Sequence, residues 1–159
     1  MRRLATAGDF DVVFAIYMDE EVVPFLGFDP MTREEFGPVY RALLDSGSFY
    51  VYELDARVRG FYRVTRQEGR ASHVATLSTL AVAPEAKRTG IAQAMVMDAI
   101  DRLRSEGILR VELTVESDNP RAIRFYEKLG FEHEGTLRKA YKRSSDAHFV
   151  DERFMALLL

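Results

Sequence analysis

Residues 73–116 constrain the fold more than any other stretch. An apolar, β-branched run, HVATLSTLAV at 73–82, precedes a helical pattern from Thr89 to Glu106. A strictly alternating run, LRVELTVE at 109–116, follows. In the middle segment Ala92, Val96, Ala99, Ile100 and Leu103 fall on one helical face, and Gly107 ends the pattern. In the last segment Val111, Leu113 and Val115 face one way, with Glu112, Thr114 and Glu116 on the opposite, polar face. Strand, helix and strand in this order predict a right-handed crossover between two parallel strands.

The flanking segments complete the pattern. Asp9 is a plausible N-cap for a helix over 10–18. Thr32 and Glu35 have the spacing of a capping box, ahead of a helix that turns Phe36, Val39, Tyr40, Leu43 and Leu44 inward. Residues 48–54 and 58–66 read as a hairpin turning at Asp55-Ala56. Asn119 and Pro120 open a further helix that Gly130 stops. The remainder, 131–159, reads as two strands around a turn at Ser144-Ser145-Asp146. The predicted order is β-α-α-β-β-β-α-β-α-β-β, an α/β (α+β) class with a mixed sheet of about six to seven strands and about four helices. A chain of 159 residues without linker or repeat is expected to be one domain, 1–159.

Composition removes several function classes. With 22 Lys and Arg against 25 Asp and Glu, the net charge is -3, which supplies no attraction to nucleic acid or an anionic membrane. There is no cysteine, which excludes disulfides, thiolate metal sites and a cysteine nucleophile. No metal site is expected. The N-terminus lacks an apolar core after its two arginines, and no apolar run is long enough to span a bilayer. The expectation is a cytoplasmic protein with neither nucleic-acid nor membrane partners. The apolar C-terminal MALLL leaves a homodimer interface open.

Two segments carry chemistry. In LAVAPEAKRTGIAQ, 80–93, a strand ends, Lys87 and Arg88 follow, and Thr89-Gly90 open a helix. A helix N-terminus presents free N–H groups and partial positive charge, which suits phosphate. A plain loop with solvated cations is the alternative. Neither a Walker A loop nor a G-x-G-x-x-G fingerprint is present. In NPRAIRFYEKLGF, 119–131, Asn119 and Tyr126 lie two turns apart, so a carboxamide and a phenol share a face with Ala122 and Ile123. The alternative is a helix cap and a core aromatic.

Together the two motifs resemble the GNAT superfamily of acyl-CoA N-acyltransferases. The second is nearly complete in Asn119, Ala122, Tyr126, Lys128, Gly130 and Phe131. In the first, Lys87 stands where Gln or Arg is usual, before Arg88, Gly90 and Ala92. RASHVATLSTLAV and the stretch from GFEHEGTLRKAYKR to FVDERFMALLL resemble bacterial L-amino-acid N-acyltransferases. EEVVPFLGF is similar to the branch that acetylates protein N-termini.

The resemblance implies a fold whose central parallel strands, here 73–82 and 109–116, splay apart around the pantetheine arm of acetyl-CoA. Main-chain groups of Leu80, Ala81 and Val82 would pair with pantetheine. Lys87, Arg88, Thr89, Gly90, Ile91, Ala92 and Gln93 would surround the pyrophosphate, chiefly through backbone N–H groups. Asn119 would bind further along the cofactor, and Tyr126 would sit near the sulfur as proton donor. The expected cosubstrate is acetyl-CoA and the partner a small-molecule amine, foremost the α-amine of a free amino acid. Protein N-terminal acetylation and a non-catalytic acyl-CoA sensor are the rivals. Family acids are missing at Ser78, Thr79 and Thr114. The base is therefore open among Glu112, Glu116, Glu21, His73 and a water chain. The acceptor wall is expected within 18–36, where Glu21, Phe25 and Phe28 are substrate candidates and Val22, Val23, Leu26, Met31 and Phe36 either line the wall or pack as core.

Overall fold

The computed structural model describes residues 1–159. Seven strands form one mixed sheet: β1 (Arg2–Leu4), β2 (Phe49–Leu54), β3 (Arg57–Arg66), β4 (Val74–Val82), β5 (Arg110–Glu116), β6 (Glu132–Tyr141) and β7 (Val150–Leu158). Their order is β1-β2-β3-β4-β5-β7-β6. Four helices accompany them: α1 (Phe10–Tyr17), α2 (Arg33–Asp45), α3 (Ile91–Ser105) and α4 (Pro120–Lys128). The element order, the strand and helix numbers and the parallel β4/β5 pair are those expected from the sequence pattern. The backbone groups into two compact units, Met1–Val64 with Thr79–Ala99, and Thr65–Ser78 with Ile100–Leu159.

The first unit is organised by aromatic packing. Phe36 of α2 is fully buried, with its ring 5.1 Å from Tyr17, 5.5 Å from Phe14 and 5.8 Å from Phe10. Phe49 and Phe61 continue the cluster across the β2/β3 hairpin at 5.4 Å. Offset and tilted rings at these separations add to the apolar area removed from water. The hairpin turns on Asp55 and Ala56, both at positive φ, as a two-residue primed turn requires. Gly60 lets β3 approach β4: a Cβ there would lie 2.6 Å from the Ala81 carbonyl oxygen. Thr32 and Glu35 form the expected reciprocal cap of α2, with Glu35 N–H donating to Thr32 Oγ1 at 3.3 Å and Thr32 N–H to Glu35 at 2.8 Å.

Asp9 departs from expectation. It precedes α1, but its carboxylate makes no cap hydrogen bond to that helix. It is 6% exposed and accepts both guanidinium arms of Arg3 at 2.7 Å, together with the N–H and hydroxyl of Thr6. A bidentate cation outcompetes a weaker amide partner. Arg3 also reaches Glu53 at 2.8 Å, and Tyr40 donates its hydroxyl to the Thr6 carbonyl at 2.6 Å. This polar knot therefore joins β1, α2 and the end of β2. Burial, with Asp9 adding negative charge nearby, pushes the Tyr40 phenol up to about 12.

The second unit is built on β5. Val111, Leu113 and Val115 are buried, as their alternation predicts. β5 pairs with β7 along its whole length, from Arg110↔Leu158 to Glu116↔Glu152. Its parallel ladder to β4 is short: Val74↔Arg110, Ala75↔Val111 and Thr76↔Glu112. The apolar MALLL run belongs largely to β7, where Met155 and Ala156 are buried in the sheet. At the sheet edge β6 is mostly exposed and its register against β7 shifts twice. Lys139 there adopts φ +54°, and its N–H donates to Asp151 at 2.8 Å. Bulges and charges of this kind blunt an edge strand against further pairing.

The Arg3 pair holds the Asp9 carboxyl down at about 2, from its ordinary 3.8. Its contribution is complete above pH 3.8 and is lost as pH falls through 2. Asp9→Asn should cost about 1–3 kcal/mol at pH 7, because it removes two charge-assisted hydrogen bonds and leaves Glu53 as the carboxylate on the Arg3 fork. Urea unfolding should show that difference narrowing as pH falls from 4 towards 2.

Candidate functional site

In the first unit β4 ends at Val82, and Thr79 within it has φ +49°. A left-handed, non-glycine residue in mid-strand reorients the following peptides, as a bulge does. Leu80 and Val82 are half-buried, and Ala81 is buried. The chain then makes a 3-10 turn at Pro84–Ala86 before Arg88 and Gly90, at φ +64° and +85°. α3 begins at Ile91, two residues later than expected, and its first backbone bond runs from Ala94 N–H to the Gly90 carbonyl at 3.0 Å. The amides of Ile91, Ala92 and Gln93 thus precede the first intrahelical donor, which leaves them directed outward from the N-terminus. A Cβ at Gly90 would meet nothing within 4 Å, so the approach to these amides is open. Thr89 donates its hydroxyl to the Ala86 carbonyl at 2.6 Å and steadies the turn.

Lys87 points elsewhere. Its Nζ is 2.7 Å from Glu21 and 3.4 Å from Asp19, with the side chain only 14% exposed. The sequence places Lys87 with the phosphate cradle and Glu21 with the acceptor, whereas the structure pairs them with each other. Of the expected acceptor wall, Val22, Val23, Leu26 and Phe36 are buried core, and Met31 packs against that core. Of the two readings of these positions, wall or core, their burial favours core packing; in the short turn at Val23–Phe25 it is Val23 that is buried. Phe25 is half-buried and Phe28 is 49% exposed.

In the second unit Asn119 caps α4, its Oδ1 accepting from Ala122 N–H at 3.1 Å. Pro120 takes the first helical position and Gly130 ends the helix at φ +93°. Tyr126 projects from the buried face and is 8% exposed, edge-on to Phe131 at 5.5 Å. Burial pushes its phenol well up, and the negative charge of Glu116 adds to the effect. It therefore keeps its proton through the neutral range.

Glu116 is the other departure. Its place in the alternation predicts a solvated polar face, yet it is 8% exposed. Thr114, two residues earlier on the same face, stays exposed. Burial pushes the Glu116 carboxyl up to about 7, opposed by its own backbone N–H and by Arg143, and assisted by Glu152 and Asp118. Glu112 is held differently, with Arg110 Nε at 3.1 Å and the Thr76 hydroxyl at 3.4 Å. Arg110 also grips Glu134 through both arms, at 2.6 and 2.9 Å. His73 is exposed before β4, where its carbonyl accepts from Leu109 and Arg110. The sequence reading missed Glu152, Arg143 and Asp118. Only the β5/β7 register, which places Glu152 opposite Glu116, could have brought them to notice.

The model of the acetyltransferase (GNAT) family matches residues 10–131. The chain belongs to this family. Among its curated relatives, the Escherichia coli ribosomal protein bS18-alanine N-acetyltransferase is 39% identical over 83 residues, 52% of this chain and 55% of that protein. The Escherichia coli L-amino acid N-acetyltransferase AaaT is 37% identical over 108 residues, 65% of this chain and 63% of that protein. The chain thus spans little more than half the length of these relatives. The fold is shared with the Brucella melitensis ribosomal-protein-alanine N-acetyltransferase, at a TM-score of 0.78 and 24% identity over 100% of this chain and 99% of that one. No helix is long and apolar enough to cross a membrane.

In a GNAT-family chain with these groups, Glu116 makes stability fall with rising pH. Its folded value of about 7 exceeds its ordinary 4.5, so ionisation opposes folding between those two pH values. The full cost is about 3 kcal/mol. Glu116→Gln should remove this slope: against wild type, the variant gains stability from pH 5 to pH 8 in parallel urea titrations.

Proposed function

We propose that the protein is an acetyl-CoA-dependent N-acetyltransferase acting on a primary amine. The single observation that carries the chemistry is the pairing of a buried carboxyl near pH 7, Glu116, with a buried phenol, Tyr126, whose proton affinity depends on the Glu116 charge. Family membership supplies the reaction class. The residues present suit acetyl-CoA. The open Gly90 turn and the α3 N-terminus offer amides of Arg88–Gln93 to a pyrophosphate, and the main chain of Leu80–Val82 offers strand-type pairing to pantetheine amides. Arg88 contributes positive charge there. Lys87 contributes less than the sequence suggests, because Asp19 and Glu21 hold it. Asn119 is assigned to the cofactor arm.

The amine must be neutral to attack. Glu116, near 7, is an effective acceptor for its proton at neutral pH, where a base of ordinary carboxyl affinity is weaker. The amine lone pair forms the N–C bond at the thioester carbonyl, and the C–S bond breaks. Tyr126 donates a proton to the departing thiolate, and the proton released by the acylated nitrogen as it becomes a neutral amide restores the phenol. The two transfers support each other. Once Glu116 is protonated, the like charge that disfavours a phenolate at Tyr126 is gone. Glu112 is less suited to the role because Arg110 engages it.

The acceptor we favour is the α-amine of a free amino acid. One relative is named for L-amino acids and the other for the alanine of a ribosomal protein. Both names describe an amino acid, whose α-amine sits on the carbon beside a carbonyl carbon, so N-terminal peptides form the second reading. Thiol release from acetyl-CoA over free amino acids, polyamines and N-terminal alanine peptides separates these. Highest kcat/KM on free amino acids is expected, and preference for the peptides would move the assignment to the second reading. Tyr126→Phe should lower kcat by about 10²-fold with CoA binding intact. An unchanged kcat would remove Tyr126 from the chemistry.

A further inference from the structure

Glu116 occupies an unusual electrostatic position for a residue inside a sheet. Its direct partner across the antiparallel β5/β7 ladder is Glu152. Facing residues on one side of such a pair have Cβ atoms about 5 Å apart, and like charges placed so repel. Strands normally avoid this pairing or offset it with a cation. Here the cation is Arg143, from the segment between β6 and β7, and it is already shared. Its guanidinium reaches Asp118 at 2.9 and 3.2 Å and Asp146 at 3.1 Å, and lies 5.1 Å from the Tyr141 ring centre. The groups facing Glu116 are therefore Glu152 from β7, Asp118 from the turn after β5, Arg143, and Tyr126 from α4. The neighbouring carboxylate of β7, Asp151, is engaged by the Lys139 N–H.

We propose that Glu152 is a positioning residue for catalysis: facing Glu116 across the ladder, it sets that carboxyl's proton affinity, while Arg143, pinned by Asp118 and Asp146, restrains it. Glu152 acts only through Glu116. The proposal rests on Glu116 serving as the base, as argued above. Desolvation alone would hold Glu116 neutral at a level fixed by burial. An opposing pair of charges around it provides a separate adjustment that leaves the packing of Tyr126 and β5 untouched. The known cost of placing like charges opposite each other gives the pair no structural advantage of its own.

The test follows the Glu116 carboxyl directly, by carbon NMR of glutamate-labelled protein, with its signal identified by its loss in Glu116→Gln. The pH dependence of kcat/KM is recorded on the same variants, using the best amine from the panel. Glu152→Gln, nearly isosteric, should lower the Glu116 midpoint by roughly one pH unit and carry the acid limb of kcat/KM with it. Arg143→Gln should move both upward. Glu152→Asp keeps the charge and should leave the midpoint near that of wild type, so a merely structural effect of altering position 152 is excluded. An unmoved Glu116 midpoint in Glu152→Gln overturns the proposal. So does an equal movement in Glu152→Gln and Glu152→Asp. If the carboxyl midpoint shifts and the rate profile does not follow, Glu152 controls Glu116 but Glu116 is not the base, and the fault lies with the proposed mechanism. Thermal unfolding of each variant at pH 6 identifies any that lose the fold, and the remaining variant then decides.

Discussion

The parallel ladder between β4 and β5 has only three registers, and much of the second unit follows from that brevity. Val74, Ala75 and Thr76 pair with Arg110, Val111 and Glu112. β5 then continues to Glu116 with β7 as its hydrogen-bonded neighbour. A sheet interior normally satisfies both edges of a strand. Here the one full-length partner, β7, must hold the strand in place, and it does so with seven register pairs and with buried Met155 and Ala156. That arrangement decides the setting of Glu116. The residue lies at the end of a strand anchored on one side and opposite Glu152, and burial raises its proton affinity. A longer β4/β5 ladder would have used the main chain of residues 113–116 for sheet structure.

The first unit meets a different demand. The turn ahead of α3 contains two residues at positive φ, Arg88 and Gly90, and a third, Thr79, lies within β4. Only glycine adopts that region without penalty, so the other two must be held by their surroundings. The Thr89 hydroxyl on Ala86, the ion pairs of Lys87 and the close approach of Gly60 to Ala81 do so. The core cluster that contains Phe36 also takes in Ala81, Ala83 and Ala86 on either side of that turn's start.

Local signals were legible in the sequence. The Thr32/Glu35 box, the Asp55-Ala56 turn and the Asn119-Pro120 start each depend on residues within four positions of one another, and each appears in the structure. The period-two pattern of Val111, Leu113 and Val115 gave the buried face of β5 correctly. Reading failed where a partner distant in sequence took a side chain. Asp9 has the chemistry of a cap, but Arg3 outbids the helix amides. Glu116 has the parity of a solvent-facing residue, yet it is buried, and its ladder partner comes 36 positions later. Lys87 sits in a basic stretch beside a helix start, and a pair of acids near residue 20 claims it. In the acceptor segment, apolar composition alone did not distinguish a wall from a core. The left-handed backbone at Thr79 and Arg88 has no signature in those residue types.

Asp9 and Glu116 pull the pH response of the molecule in opposite directions. Asp9 wants to be ionised and is satisfied above about pH 4. Glu116 wants to be neutral and is satisfied below about pH 5. As far as these two carboxyls decide it, the fold is most comfortable in mildly acidic solution, while the proton transfer assigned to Glu116 requires the ionised form that burial resists. The protein would then work on the alkaline shoulder of its own stability optimum. Substitutions that make it hardier at neutral pH by relieving Glu116 would be expected to make it a poorer catalyst.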